Sequence, residues 1–240
     1  MGEHADVEAF SNELAALKRD GCNVLVVSDA AGRGPACERL LGAPELDRRH
    51  VFLSTSSDVS TVLDRHSPRR TDASTLGVVD ATPEHGTRSA AAASAQSDTA
   101  FPGKLSSTHG AWYDRVDDFT DFEALTAATR DALDRVGADA ESPGEVRLCV
   151  DSLDPFFQAA ESGDATEEGL FRFLHILTSA VREDDGMGHF HVSAGADDDL
   201  LATFEPLFGA TLSIDTSSPG TTRQRWKLHE SGRVTDWFEF

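Results

Sequence analysis

The stretch Asn23-Val24-Leu25-Val26-Val27-Ser28-Asp29-Ala30-Ala31-Gly32-Arg33-Gly34-Pro35-Ala36-Cys37-Glu38-Arg39-Leu40-Leu41 decides the fold. Its first six residues form a near-continuous apolar run, the mark of a strand covered on both faces in a parallel sheet. A glycine-bearing turn from Asp29 to Pro35 follows, and Ala36 to Leu41 reads as helix. Pro35 is expected at the first helical position, where its missing N–H does no harm. Strand, turn and helix make one βα unit.

Similar units extend outward on both sides. Upstream, Val7, Phe10, Leu14 and Leu17 mark an amphipathic helix that Gly21 ends. Downstream, His50–Thr55, Leu76–Asp80, Glu145–Leu153, Phe190–Ala194 and Ala210–Asp215 read as strands. Helices are expected over Asp58–His66, Phe119–Val136, Thr166–Arg182 and Asp197–Phe208. In the third of these, Leu170, Phe173, Leu174, Leu177 and Val181 share one face. Arg223–Leu228 and Val234–Phe240 alternate around Glu230-Ser231-Gly232, a hairpin pattern. The expected fold is α/β, a mainly parallel central sheet flanked by helices with a C-terminal antiparallel hairpin. One domain over residues 1–240 is expected, with a flexible Ala/Ser/Gly-rich loop at about 82–110. Trp112–Asp118 carries no clear pattern.

Charge is the strongest compositional signal. Against 21 Lys and Arg stand 42 Asp and Glu, a formal net charge of −21, and the only lysines are Lys18, Lys104 and Lys227. A dispersed acidic excess with scarce lysine resembles the proteins of salt-in halophiles, whose surface carboxylates keep them hydrated in molar salt. The same charge disfavours nucleic-acid binding, which depends on Lys and Arg displacing counterions from phosphates. A local basic patch, such as Arg65 with Arg69 and Arg70, is still compatible with that balance. No run of about 18 apolar residues suits a membrane span, and the acidic start Met1-Gly2-Glu3-His4-Ala5-Asp6 is unlike a signal peptide. A cytoplasmic protein is expected.

The turn can be set against the phosphate-binding loop GxxxxGK[ST], in which backbone N–H groups and a lysine hold phosphates and a hydroxyl holds Mg²⁺. In the best register, Asp29 to Ala36, Gly34 matches and Gly32 adds a second glycine. Asp29 replaces the first glycine, Pro35 the lysine and Ala36 the hydroxyl. Leu148-Cys149-Val150-Asp151-Ser152-Leu153 is a second checkpoint, an apolar strand ending in Asp-Ser. It resembles the Walker B strand of RecA and KaiC proteins. Asp151 read on its own is also an acid capping the next turn. Leu170-Phe171-Arg172-Phe173-Leu174-His175-Ile176-Leu177 and Asp185-Gly186-Met187-Gly188-His189-Phe190 are similar to segments of uncharacterised halobacterial proteins labelled RecA-superfamily or HTR-like.

The chain is therefore identified as resembling the RecA/KaiC-like P-loop superfamily in degenerate form. The resemblance implies a vestigial nucleotide site at Asp29, Gly32, Arg33, Gly34, Asp151 and Ser152. It also implies a glutamate base after the second strand, where this chain has Ser56-Ser57 and then Asp58. Serine is no general base at neutral pH without help. The expectation is a pseudo-ATPase with no catalytic residues, no metal and no cofactor, acting as a regulatory or scaffolding protein through a protein partner or self-association. The alternative is a divergent ATPase or weak ATP/Mg²⁺ binder, with Arg33 in place of the lysine.

The remaining candidates are expected to be structural. Cys22, Cys37 and Cys149 form no CxxC motif or Cys/His cluster along the chain and read as small buried hydrophobes. His189 and His191 make an HxH on one strand face, with no third ligand at zinc spacing. His175 is expected to be partly buried and hydrogen-bonded. Phe156-Phe157 and Trp237-Phe238-Glu239-Phe240 are expected in core and edge-strand packing, or docked on a neighbour at the C-terminus.

Overall fold

A computed structural model describes residues 2–43, 45–57, 59–65, 73–83, 111–218 and 220–240. The elements run α1 (Gly2–Arg19), β1 (Cys22–Ser28), α2 (Ala30–Leu41), β2 (Arg49–Ser54), α3 (Val59–Arg65), β3 (Leu76–Asp80) and β4 (Tyr113–Arg115). After these come α4 (Phe122–Gly137), β5 (Val146–Asp151), α5 (Asp154–Ser162), α6 (Glu167–Glu183) and β6 (Met187–Ser193). The chain closes with α7 (Asp198–Phe204), a short 3-10 turn, β7 (Ala210–Ser218), β8 (Thr221–Leu228) and β9 (Phe238–Glu239). Basic patch residues 69 and 70 and most of the 82–110 loop lie outside the described residues, as does Asp58.

The nine strands form one sheet in the order β4-β3-β2-β5-β6-β1-β7-β8-β9. Pairing is parallel from β4 to β7, and β8 and β9 add an antiparallel edge. Alternation along the strands divides the core in two. Leu25, Leu53, Leu148, Val150, Phe190 and Val192 face the layer built by α4, α5 and α6. Val24 and Val26, with Phe52 and Val78, face the opposite layer, which holds α2. Both faces are covered, which is why the strands read as continuous apolar runs rather than as alternating ones.

The helix ends follow their caps. Thr166 accepts a hydrogen bond from Gly169 N at 3.0 Å, Glu167 and Glu168 occupy the first turn and Arg182 the last. All five residues expected on the buried face of α6 are buried. Gly21 takes φ +72° directly after α1, a left-handed stop that glycine adopts without strain.

Several expectations need correction. Pro35 is the sixth residue of α2, not its first, because Asp29 caps the helix and winds the whole turn into it. Helix α5 was not expected; it is short and opens on Asp154-Pro155, which disguises a nine-residue helix as a turn. The strongest hairpin joins β7 to β8, while the expected pair around Glu230-Ser231-Gly232 keeps only two strand residues in β9 and a bridge from Lys227 to Val234. His175 is exposed and stacks on Phe171 with ring centroids 6.4 Å apart, because its position on α6 faces away from the sheet.

Candidate functional site

The parallel strands β1, β2, β5 and β6 end together at Ser28, Ser54, Asp151 and Ser193, where Ser28 pairs with Ser193 and Ser54 with Asp151. Crevices outside the carboxyl ends of such strands are where open α/β sheets bind ligands. All six expected site residues lie at this end, yet the structure divides them into two groups with different roles.

Asp29, Gly32 and Gly34 are helix structure. Asp29 Oδ1 accepts from Gly32 N at 2.8 Å, and its other oxygen accepts from the Thr216 hydroxyl on β7. The Thr216 bond, with the bond from Gly32 N, holds the Asp29 carboxyl below the ordinary carboxylate range. The amides that would cradle a phosphate are thus engaged in a regular helix start capped by a negative charge. Gly32 serves close packing, since a Cβ there would lie 2.7 Å from Ile214 Cγ2. Gly34 has open space around it.

Arg33, Asp151 and Ser152 form the second group, together with Asp154 and a ring of serines. Arg33 Nη2 reaches Asp154 Oδ2 at 3.0 Å and Ser193 Oγ at 3.2 Å, and Nη1 lies 3.6 Å from Asp151 Oδ1. Asp151 is almost wholly buried, at 1 % exposure. Its oxygens accept from the hydroxyls of Ser56, at 3.2 Å, and Ser57. Its carbonyl accepts from Thr55 N and Ser56 N at 2.8 and 3.1 Å. Ser152 donates to Asp154 Oδ2 at 2.9 Å, and Ser193 gives Asp154 both its N–H and its hydroxyl, at 2.9 and 2.8 Å.

Burial pushes the Asp154 carboxyl up. The Ser193 and Ser152 bonds and the Arg33 charge outweigh that, so it ionises below the usual carboxylate range. The serines at the end of β2, where an activating acid was sought, are thus donors to Asp151. The Arg33 charge is spent on the chain's own carboxylates. Asp151 and Asp154 are brought together, bridged by one guanidinium. An open cleft nearby is lined by Thr55, Ser56, Phe119, Pro155, Gln158 and Ala159, and none of the six expected residues lines it.

The structure also assembles what sequence spacing did not. Cys37 on α2, Cys149 on β5 and both His189 and His191 on β6 converge, with one ligand atom of each within 4.8 Å of all the others. All three cysteines are buried as expected, but Cys37 and Cys149 do form a Cys/His cluster, and the HxH does meet further donors. The pairing of Cys149 with His189 across β5 and β6 is a register fact that no spacing along the chain reveals.

The fold is that of RecA/KaiC-like proteins. A KaiC-like protein, PH0186 from Pyrococcus horikoshii OT3, superposes with a TM-score of 0.54 at 12% identity, over 92% of this chain and 85% of that one. An uncharacterised Pyrococcus horikoshii protein, PH0321, solved in complex with an unknown peptide, gives a TM-score of 0.54 at 10% identity, over 92% of both chains. By sequence, the chain belongs to a family of unknown function (DUF7504), whose model matches residues 21–214. No curated protein matches it. Among the described residues no helix is long and apolar enough to cross a membrane.

Proposed function

We propose that this chain is a catalytically silent RecA/KaiC-like domain with a regulatory or scaffolding task, related to signalling, in a halophilic, halobacterial archaeon. The observation that carries the reading is the position of Arg33, whose guanidinium lies between Asp151 and Asp154. A triphosphate entering here would have to draw Arg33 away from two carboxylates and then face both of them. Asp29 adds a third negative charge at the helix start, and neither Pro35 nor Ala36 offers the cation or hydroxyl that phosphate and Mg²⁺ require. Ser56 and Ser57 supply hydroxyls and no base. No ATP or Mg²⁺ requirement follows, and nucleic acid is a poor partner for a net charge of −21.

The task is then binding of protein, either a partner or a second copy. Val234, Trp237 and Phe238 support this: they are 52, 38 and 43 % exposed beside the two-residue edge strand β9. A sheet edge with exposed apolar residues is a template for pairing. The structural neighbour PH0321, solved in complex with an unknown peptide, is in keeping with this reading.

The test is thermal unfolding in molar KCl with Mg²⁺ and ATP, ADP or GTP. A site-specific ligand at a hundred times its Kd adds about 2.7 kcal/mol, a shift of a few degrees for a chain this size. No shift is expected. A nucleotide-dependent shift that Asp151→Ala abolishes would overturn the reading in favour of a divergent ATPase or weak nucleotide binder.

A further inference from the structure

We propose that Cys37, Cys149, His189 and His191 form a structural site for one zinc ion, buried between α2 and the sheet. The proposal stands apart from the nucleotide reading, since none of the four belongs to the Arg33 network.

The geometry comes from three elements. His189 and His191 are two residues apart on β6 and so project from the same sheet face. Cys149 is the direct neighbour of His189 on β5, and Cys37 descends on this face from the buried side of α2. Cys37 Sγ lies 3.4 Å from Cys149 Sγ and 3.5 Å from His189 Nε2. Zn–S bonds near 2.3 Å and Zn–N bonds near 2.0 Å, arranged tetrahedrally, set ligand atoms about 3.3 to 3.8 Å apart. The donor set, two thiolates and two imidazoles, neutralises a divalent ion and is a closed structural zinc set.

The surroundings support a ligand. All four residues are 0 % exposed, and the cysteines pack among Phe52, Val62 and Val78. Cysteines alone would be content there as small hydrophobes. Two imidazoles side by side in an apolar layer, ring centroids 5.3 Å apart, are another matter, since burying polar groups there is costly. Cys37 follows Arg33 by about one helical turn on α2, and Cys149 precedes Asp151 by two residues on β5. A metal here would clamp α2 onto β5 and β6.

The experiment is metal analysis of the full chain, produced and purified in molar KCl without chelator, beside chain unfolded in chelator and refolded with excess Zn²⁺ or Co²⁺. About one zinc per chain is expected, together with a cobalt form that shows thiolate-to-metal charge transfer and the intense visible bands of a tetrahedral ion. Cys149→Ser and His191→Gln should each lower bound zinc at least tenfold, while Cys22→Ser keeps it. Should those variants fail to fold, the cobalt spectrum of the wild-type chain decides alone. Folded wild-type chain that takes up no zinc or cobalt overturns the proposal. So does stoichiometric zinc retained in a folded Cys37→Ser/Cys149→Ser chain, copper bound in place of zinc, or a Cys37–Cys149 disulfide in the purified protein.

Discussion

Two polar clusters lie against α2, one turn apart, and they differ in how they are satisfied. In the Arg33 cluster the carboxylates of Asp151 and Asp154 receive donors from Ser56, Ser57, Ser152, Ser193 and the guanidinium, while Arg33 Nε has no hydrogen-bond partner among the described residues. In the Cys37 cluster, Cys37 meets Cys149 and His189 in an apolar layer, within reach of His191. Leaving a buried polar group unpaired costs about 1–3 kcal/mol. The Arg33 cluster supplies its two carboxylates with donors from within the chain. The Cys37 cluster holds the donor set proposed for zinc.

The comparison can be broken or sharpened by substitution. The largest effect is expected from Arg33→Met, which leaves Asp151 buried beside Asp154 without a cation. Removing one partner of a buried ion pair costs about 3–5 kcal/mol, and the partial exposure of Arg33 and Asp154 places this case near 3. Denaturant midpoints in molar KCl measure it. A stability loss below about 1 kcal/mol would show that the site is open to solvent and its arginine available to a ligand.

Gly32→Ala separates helix packing from phosphate binding. The added Cβ meets Ile214 on β7, and overpacking of this kind costs about 1–3 kcal/mol. A neutral result would return Gly32 to the role of a loop glycine. Asp29→Ala should lose about 1 kcal/mol of helix capping, read from the thermal midpoint. If the turn instead served anions, removing its negative charge would raise affinity for inorganic phosphate.

The acid limb of the pH–stability curve gives a further handle on the Arg33 cluster. Asp154 has a folded pKa below its unfolded value of about 3.9, so its contribution is fully present above that pH. It is lost as pH falls through the lowered folded value. Stability should therefore drop more steeply below about pH 4 in the wild-type chain than in Asp154→Asn. Equal slopes would remove Asp154 from the network. The smallest effect belongs to the far edge. Val234→Ser should change stability by less than about 0.5 kcal/mol, since its side chain is exposed, yet weaken self-association measured by sedimentation if β9 is the docking edge.

Much of the fold was legible because both faces of the sheet are covered. Val24–Val27 and Leu148–Val150 are apolar without interruption, and α6 repeats its buried residues at helical spacing. What escaped was short or disguised: the three residues of β4, and α5 behind its Pro155. Pro35 misled because a proline beside two glycines reads as the end of a turn. A capped helix accommodates it in its second turn, where one lost amide bond is a local cost. At the site, Arg33 and Asp151 were visible as candidates from motif position alone, but the hydroxyls that saturate Asp151 were not.

The sequence by itself determined that β1 is followed by a turn without lysine or a metal-binding hydroxyl, and that an Asp-Ser pair closes β5. Those are identities, and no packing can restore a missing ammonium. Only the tertiary structure decided what fills the gap and what else meets there. Arg33 and Asp154 stand 121 residues apart, and Cys37 and His189 stand 152 apart. Their encounter depends on strand order and on the register of β5 against β6, which arise from burial of both sheet faces and leave no trace in local spacing.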